Sequence, residues 1–190
     1  MQHKHTVLLA CACVLAALVC ATALRAETTP PPGETTTSTV EEVTVPIVDI
    51  LKVQSAIRKL QQKTWYWQGV MGARRTRSLA GVAPEPLQRL EAWRRLATRT
   101  WNHARNPPHK QQWLCIHRYE GAWRDPNPPY YGGLQMDVQF QRTYGGPIYR
   151  RKGTADHWTP LEQMWTAERA HRSGRGFYPW PNTARFCGLI

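Results

Sequence analysis

Trp113-Leu114-Cys115-Ile116-His117-Arg118-Tyr119-Glu120-Gly121-Ala122-Trp123 is the stretch whose reading decides the fold, and Tyr130-Tyr131-Gly132-Gly133-Leu134-Gln135 follows it closely. Trp113 to Tyr119 reads as a helix that Gly121 ends as the residue just past its last turn. Glu120 is then a single carboxylic acid at a helix terminus, among aromatic side chains. A carboxyl group in apolar surroundings resists ionisation and can donate a proton near neutral pH. The Tyr-Tyr-Gly-Gly turn that follows has the aromatic surface and the backbone freedom to hold a sugar ring.

Downstream, Asp125 to Tyr131, with Pro126, Pro128 and Pro129, reads as a rigid loop. Met136 to Tyr144 reads as a second helix, stopped by Gly145-Gly146-Pro147. Pro160 to His171 reads as a third: Thr159 is its N-cap candidate, Pro160 suits its first turn, and Gly174 and Gly176 mark its end. No alternating strand pattern of any length is present, so residues 105–190 are expected to be mainly α.

Upstream, Ile50, Val53, Ile57, Leu60, Thr64, Trp67 and Met71 recur at alternating spacings of three and four, the signature of an amphipathic helix. Lys52, Arg58, Lys59 and Lys63 occupy its other side. Gly69, Gly72, Gly81, Pro84 and Pro86 mark a loop. A second helical stretch places Leu87, Leu90, Trp93, Ala97, Trp101 and Ala104 on one side, with Arg89, Arg94, Arg95 and Arg99 opposite. Residues 47–104 thus read as a basic helical hairpin, ended by Asn106-Pro107-Pro108. Its apolar stripe packs against itself or the C-terminal region; a competing reading makes it a wall- or membrane-attracted module.

Residues 1–26 read as an export signal: Lys4 in a short n-region, an apolar run from Thr6 to Ala21, and Ala21-Thr22-Ala23 as a cleavage site. An uncleaved anchor is the alternative, and the only membrane attachment expected. Residues 27–46, rich in Thr, Pro and Glu, cannot bury a core and are expected to be a disordered linker. Three of the five cysteines lie in the signal. The remaining two, Cys115 and Cys187, suggest one disulfide in an exported chain, against the alternative of two free thiols.

The chain has 190 residues and a formal net charge of +12, of which Lys4 and Arg25 fall within the signal. A basic exported protein meets anionic wall polymers or lipids, and export argues against nucleic acid as its partner. Nine tryptophans favour an aromatic core or a surface that stacks on rings. His109, Cys115, His117 and Cys187 lack the ligand spacing of a zinc site, and no metal or cofactor is expected. No Gly-x-Ser-x-Gly, phosphate-loop or dinucleotide motif is present.

The spacing from Trp113 to Glu120, Trp123, Tyr131-Gly132-Gly133-Leu134-Gln135 and Gly145-Gly146 resembles the resuscitation-promoting factors of actinobacteria and related transglycosylase-like domains. Glu162-Gln163, Ala167-Glu168-Arg169 and Trp180-Pro181 followed by Cys187 extend the resemblance, which covers roughly residues 110–188. It implies a small lysozyme-like α domain with a peptidoglycan groove, secreted and associated with the cell wall. In that resemblance Glu120 matches the general acid acting on the MurNAc-β-1,4-GlcNAc bond. Trp123, Tyr130, Tyr131, Gln135 and Asp137 fall at groove or near-groove positions. The chain departs from the family in three places: a shorter loop after Glu120, Phe140-Gln141 where a Thr-Trp pair is usual, and Tyr119 where a cysteine usually precedes the glutamate. Cys115, one helical turn earlier, and a more distant Cys187 would preserve one disulfide by linked shifts.

A retaining glycosidase needs a second carboxyl group about 5–5.5 Å from the first, and an inverting one about 6.5–9.5 Å away. Asp125, Asp137 and Asp156 are the nearby candidates. Asp137 also suits a helix first turn, and Asp156 lies in a basic stretch. With one sure carboxyl group, lytic transglycosylation is the economical chemistry, with hydrolysis through a bound water beside it. The competing class is a wall protein whose groove holds glycan without cutting it, with the basic hairpin supplying retention. Residue by residue, the plain alternatives are core aromatics for Tyr130 and Tyr131 and a tie on the Gly-Gly turn for Gln135.

Overall fold

A computed structural model describes residues 47–190, so the export signal (1–26) and linker (27–46) lie outside the described residues. The chain is mainly α, as expected. Its elements run α1 (Ile47–Val70), α2 (Pro86–Ala104), α3 (Lys110–Glu120), β1 (Tyr130–Tyr131), β2 (Met136–Asp137), α4 (Val138–Lys152), α5 (Pro160–Ala170) and α6 (Pro181–Phe186). A 3-10 turn, Ala155–His157, precedes α5, and a wide turn, His171–Arg175, follows it. The two short strands pair antiparallel, Tyr130 with Asp137 and Tyr131 with Met136.

α5 is the central helix. Thr159 caps it as its sequence suggests: the Thr159 hydroxyl accepts from Glu162 N, and the Glu162 carboxylate accepts from Thr159 N at 2.7 Å. Every residue from Glu162 to Glu168 is buried. The polar members of that run survive burial because each finds a partner. Glu162 accepts from Lys152 Nζ at 2.7 Å, and Thr166 donates to Glu162 O at 2.9 Å. Gln163 Nε2 donates to Trp123 O and Ala155 O. Glu168 accepts from the Trp113 indole at 2.8 Å.

Around α5 the main core gathers Trp113, Ile116, Leu134, Met136, Phe140, Ile148, Trp158, Trp165 and Trp180. Val70, Met71 and Ala104, from the ends of α1 and α2, belong to the same core. Three hydrogen bonds fasten that junction: the Trp165 indole to Ala104 O at 2.6 Å, Arg172 Nη2 to Met71 O at 2.7 Å, and Arg169 Nη1 to Gly69 O at 3.5 Å. A smaller cluster of Ile57, Leu90 and Trp93 holds α1 to α2 further along, with Trp65 edge-on to Trp93. The α1 stripe from Ile57 to Met71 is buried or half-buried, and Lys52, Arg58, Lys59 and Lys63 are exposed. Leu87 departs from its expected inward place and is 66% exposed. It lies in the first turn of α2, beyond Leu90, where the small cluster ends.

The second correction concerns α4. It does not stop at Gly145-Gly146-Pro147 but runs through Pro147 to Lys152. Packing overrides the breakers: Ile148 is 3% exposed, and Gly145 is so close to the Trp158 ring that a Cβ there would lie 2.3 Å from Cη2. A small residue at 145 lets the helix seat on Trp158, and burial of the following turn outweighs the hydrogen bond that Pro147 forgoes.

Candidate functional site

α3 carries Glu120 as its last residue. The helix forms here because Trp113 and Ile116, three apart, are both fully buried against α5 and α6. At its N-terminus the Glu168 carboxylate accepts from His109 N at 2.7 Å, placing negative charge where helix dipoles favour it. Gly121 ends the helix with φ 158°, in opened-out backbone and not in the left-handed turn expected of it.

Glu120 is half-buried, and Thr183 of α6 donates its hydroxyl proton to Glu120 Oε1 at 2.7 Å. Thr183 is 8% exposed, so this is a fixed, largely dry contact. The α3–α6 seam bearing it is stitched by the Cys115–Cys187 disulfide, with Cα atoms 6.1 Å apart. Tyr119 and Phe186 flank the same seam with ring centroids 5.8 Å apart, exposed by 54% and 75%. An exposed aromatic pair therefore stands beside the acid.

Gln135 lies against the other side of Glu120's helix end: a Cβ on Gly121 would be 3.1 Å from Gln135 Nε2. Its backbone is held at φ 45°, the left-handed region that side chains rarely adopt. Gln135 Nε2 donates to Asp125 Oδ2 at 2.9 Å and to Gly132 O at 3.0 Å, which locks the side chain. Such strain is retained where surrounding structure over-determines it, often at a binding site. Gln135, Tyr130, Asp137, Phe140, Arg175 and Trp180 line one cleft. Glu120 itself does not line that cleft; Gln135, packed against Gly121, is the lining residue that approaches its helix end.

The other expected site residues fall into distinct settings. Tyr130 is half exposed at the cleft, whereas Tyr131 packs partly buried on the main core. Trp123 stacks on His117, centroids 3.9 Å apart and 24° between planes, and lies so close to Gly133 that a Cβ there would be 2.7 Å from the indole. Its ring supports the Gly-Gly turn from beneath. Gly132, at φ 72°, needs its glycine twice over, because a Cβ would also meet Gln163 Oε1 at 2.6 Å.

The carboxylates weighed for a second role are each engaged. Asp137 is the N-cap of α4, accepting from Phe140 N at 2.7 Å. Asp125 accepts from Gln135 and Asn127. Asp156 pairs with His157 at 3.2 Å.

Sequence reasoning missed Thr183, which is 63 residues from Glu120 and carries no local signal. It also missed the Tyr119–Phe186 pair; the replacement of cysteine by Tyr119 was the one available hint. Comparison with protein-family models, with curated proteins and with solved structures gives no match.

Proposed function

We propose that the chain is a secreted peptidoglycan-cleaving enzyme of the transglycosylase-like, lysozyme-like class, with Glu120 as its single catalytic acid. The observation that carries this reading is the setting of Glu120. It is a half-buried carboxyl group held by Thr183, beside exposed aromatics and next to a cleft that contains the strained Gln135.

Glu120, protonated, gives its proton to the glycosidic oxygen as the C1–O bond of N-acetylmuramic acid breaks. The sugar's own 6-hydroxyl oxygen bonds to C1, and its proton passes to the Glu120 carboxylate. The products are a 1,6-anhydro-muramyl end and a free 4-hydroxyl on the leaving strand, with the acid regenerated. Engagement of Asp125 and Asp137 elsewhere supports this one-carboxylate route over a two-carboxylate hydrolysis. Tyr130, Gln135 and Asp137 in the cleft, and the Tyr119–Phe186 pair, supply ring-stacking and hydrogen-bonding surface for glycan. The exposed Arg94, Arg95 and Arg99 face of α2 suits anionic wall polymers. Among the described residues, no helix is long and apolar enough to cross a membrane.

Mass spectrometry of muropeptides released from purified peptidoglycan, with Glu120→Gln alongside, tests the reading. Anhydro-muramyl products that vanish in the variant are expected. Reducing-end products would make the enzyme a hydrolase. A folded protein that binds glycan and releases nothing would instead be a non-catalytic wall-binding protein.

A further inference from the structure

At the opposite end of α3 from Glu120, about 16 Å away at 1.5 Å per residue, a second group of side chains converges. His109, just before α3, meets Glu168 and His171 of α5 and its C-terminal cap. One ligand-capable atom from each lies within 4.8 Å of the others. We propose that His109, Glu168 and His171 form a structural site for a first-row divalent transition ion, zinc above all.

The ligand set argues for the ion class. Two imidazoles and one carboxylate suit zinc and its neighbours, and not calcium or magnesium, which take oxygen shells. Glu168-Arg169-Ala170-His171 places its two ligands three apart, on one face of α5, as in helix-borne metal sites. His109 Nδ1 lies 3.1 Å from Glu168 Oε2. Bonds of about 2.0–2.1 Å to a tetrahedral ion put adjacent donor atoms about 3.3 Å apart, so that pair is already at ligating separation. The His109 and His171 rings lie 4.1 Å apart by centroid, and the His171 donor atom is within 4.8 Å of the other two.

The surroundings prepare the carboxylate. Glu168 is fully buried. Its Oε1 takes two firm donors, the Trp113 indole at 2.8 Å and His109 N at 2.7 Å. Oε2 meets only the His109 imidazole, so the outer hydrogen bonds orient the group and leave one oxygen toward the two histidines. Neither neighbouring guanidinium serves this carboxylate: Arg169 donates to Gly69 O, and Arg172 to the backbone carbonyls of Glu168 and Met71. A buried carboxylate without lysine or arginine needs another positive partner. The N-terminal end of α3 supplies part of it, and a metal ion held by the two imidazoles supplies the rest. The carbonyl end of α5 adds negative potential, and Phe177 covers both rings, 5.6 Å from His109 and 4.7 Å from His171.

No local spacing reveals this site, because His109 lies 59 residues from Glu168. The zinc set weighed from sequence dissolves at once, since Cys115 and Cys187 are joined to each other.

The test is zinc binding to the chelator-treated, disulfide-bonded protein, by calorimetry and elemental analysis, with cobalt(II) absorption as a second probe. One zinc per chain is expected, with a rise in Tm of several degrees at saturation. His171→Ala should weaken binding at least about tenfold and abolish the zinc-dependent rise in Tm, and His171→Asn guards against loss of fold. Folded wild-type protein that takes up no stoichiometric zinc overturns the proposal. Zinc binding that persists unchanged in both variants also overturns it, by placing the ion elsewhere.

Discussion

Thr183 holds Glu120 from across the α3–α6 seam. Its hydroxyl fixes one carboxyl oxygen, and in the proposed reaction the other oxygen would face the leaving group. Thr183→Val keeps the shape and removes the donor. A neutral hydrogen bond is worth about 0.5–1.5 kcal/mol, so glycan-cleavage rates should fall by roughly twofold to tenfold, with little change in Tm. Gln135 offers a test that does not involve chemistry. Both Gln135→Ala and Gln135→Gly lose the bonds to Asp125 and Gly132, but only glycine relieves the backbone at φ 45°. The glycine variant should be more stable than the alanine variant by about 1 kcal/mol, measured by urea unfolding. Glu120 itself was legible in the sequence, because its aromatic neighbours and the Gly-Gly turn lie within fifteen residues of it. Thr183 was not, because only folding brings α6 to α3.

Among the elements, α5 was read nearly residue for residue, because its stop and start signals are local: Thr159, Pro160, Glu162 and then the glycines beyond. α4 was misread because its Gly145-Gly146-Pro147 signal is overruled from a distance, by Trp158 and by burial of Ile148. The two glycines should therefore respond in opposite directions. Gly145→Ala drives a methyl group into the Trp158 ring and should cost about 1–3 kcal/mol. Gly146→Ala meets nothing closer than 3.6 Å. It should stabilise by up to about 1 kcal/mol, the helix preference of alanine over glycine. Thermal unfolding of the two single variants separates the effects.

For the whole molecule, the described residues, 47–190, belong to one compact unit. The basic hairpin, and packing of its stripe on itself or the C-terminal region, were legible; that the junction would be made with Trp113 and Trp165 was not. The Cys115–Cys187 bridge closes a loop with a sequence separation of 72. Loop-closure entropy alone then contributes up to about 4 kcal/mol, and the Cys115→Ser/Cys187→Ser double variant should show a loss of that order in denaturant unfolding. The bridge and Thr183 have a further consequence, one of timing. A ribosome delivers Glu120 63 residues before the hydroxyl that holds it, and the seam sulfurs join only where thiols can be oxidised. A growing polypeptide therefore carries Glu120 unheld. By this order of assembly, the seam is finished only after translation is past α6 and the chain has reached a place where its two thiols can be oxidised.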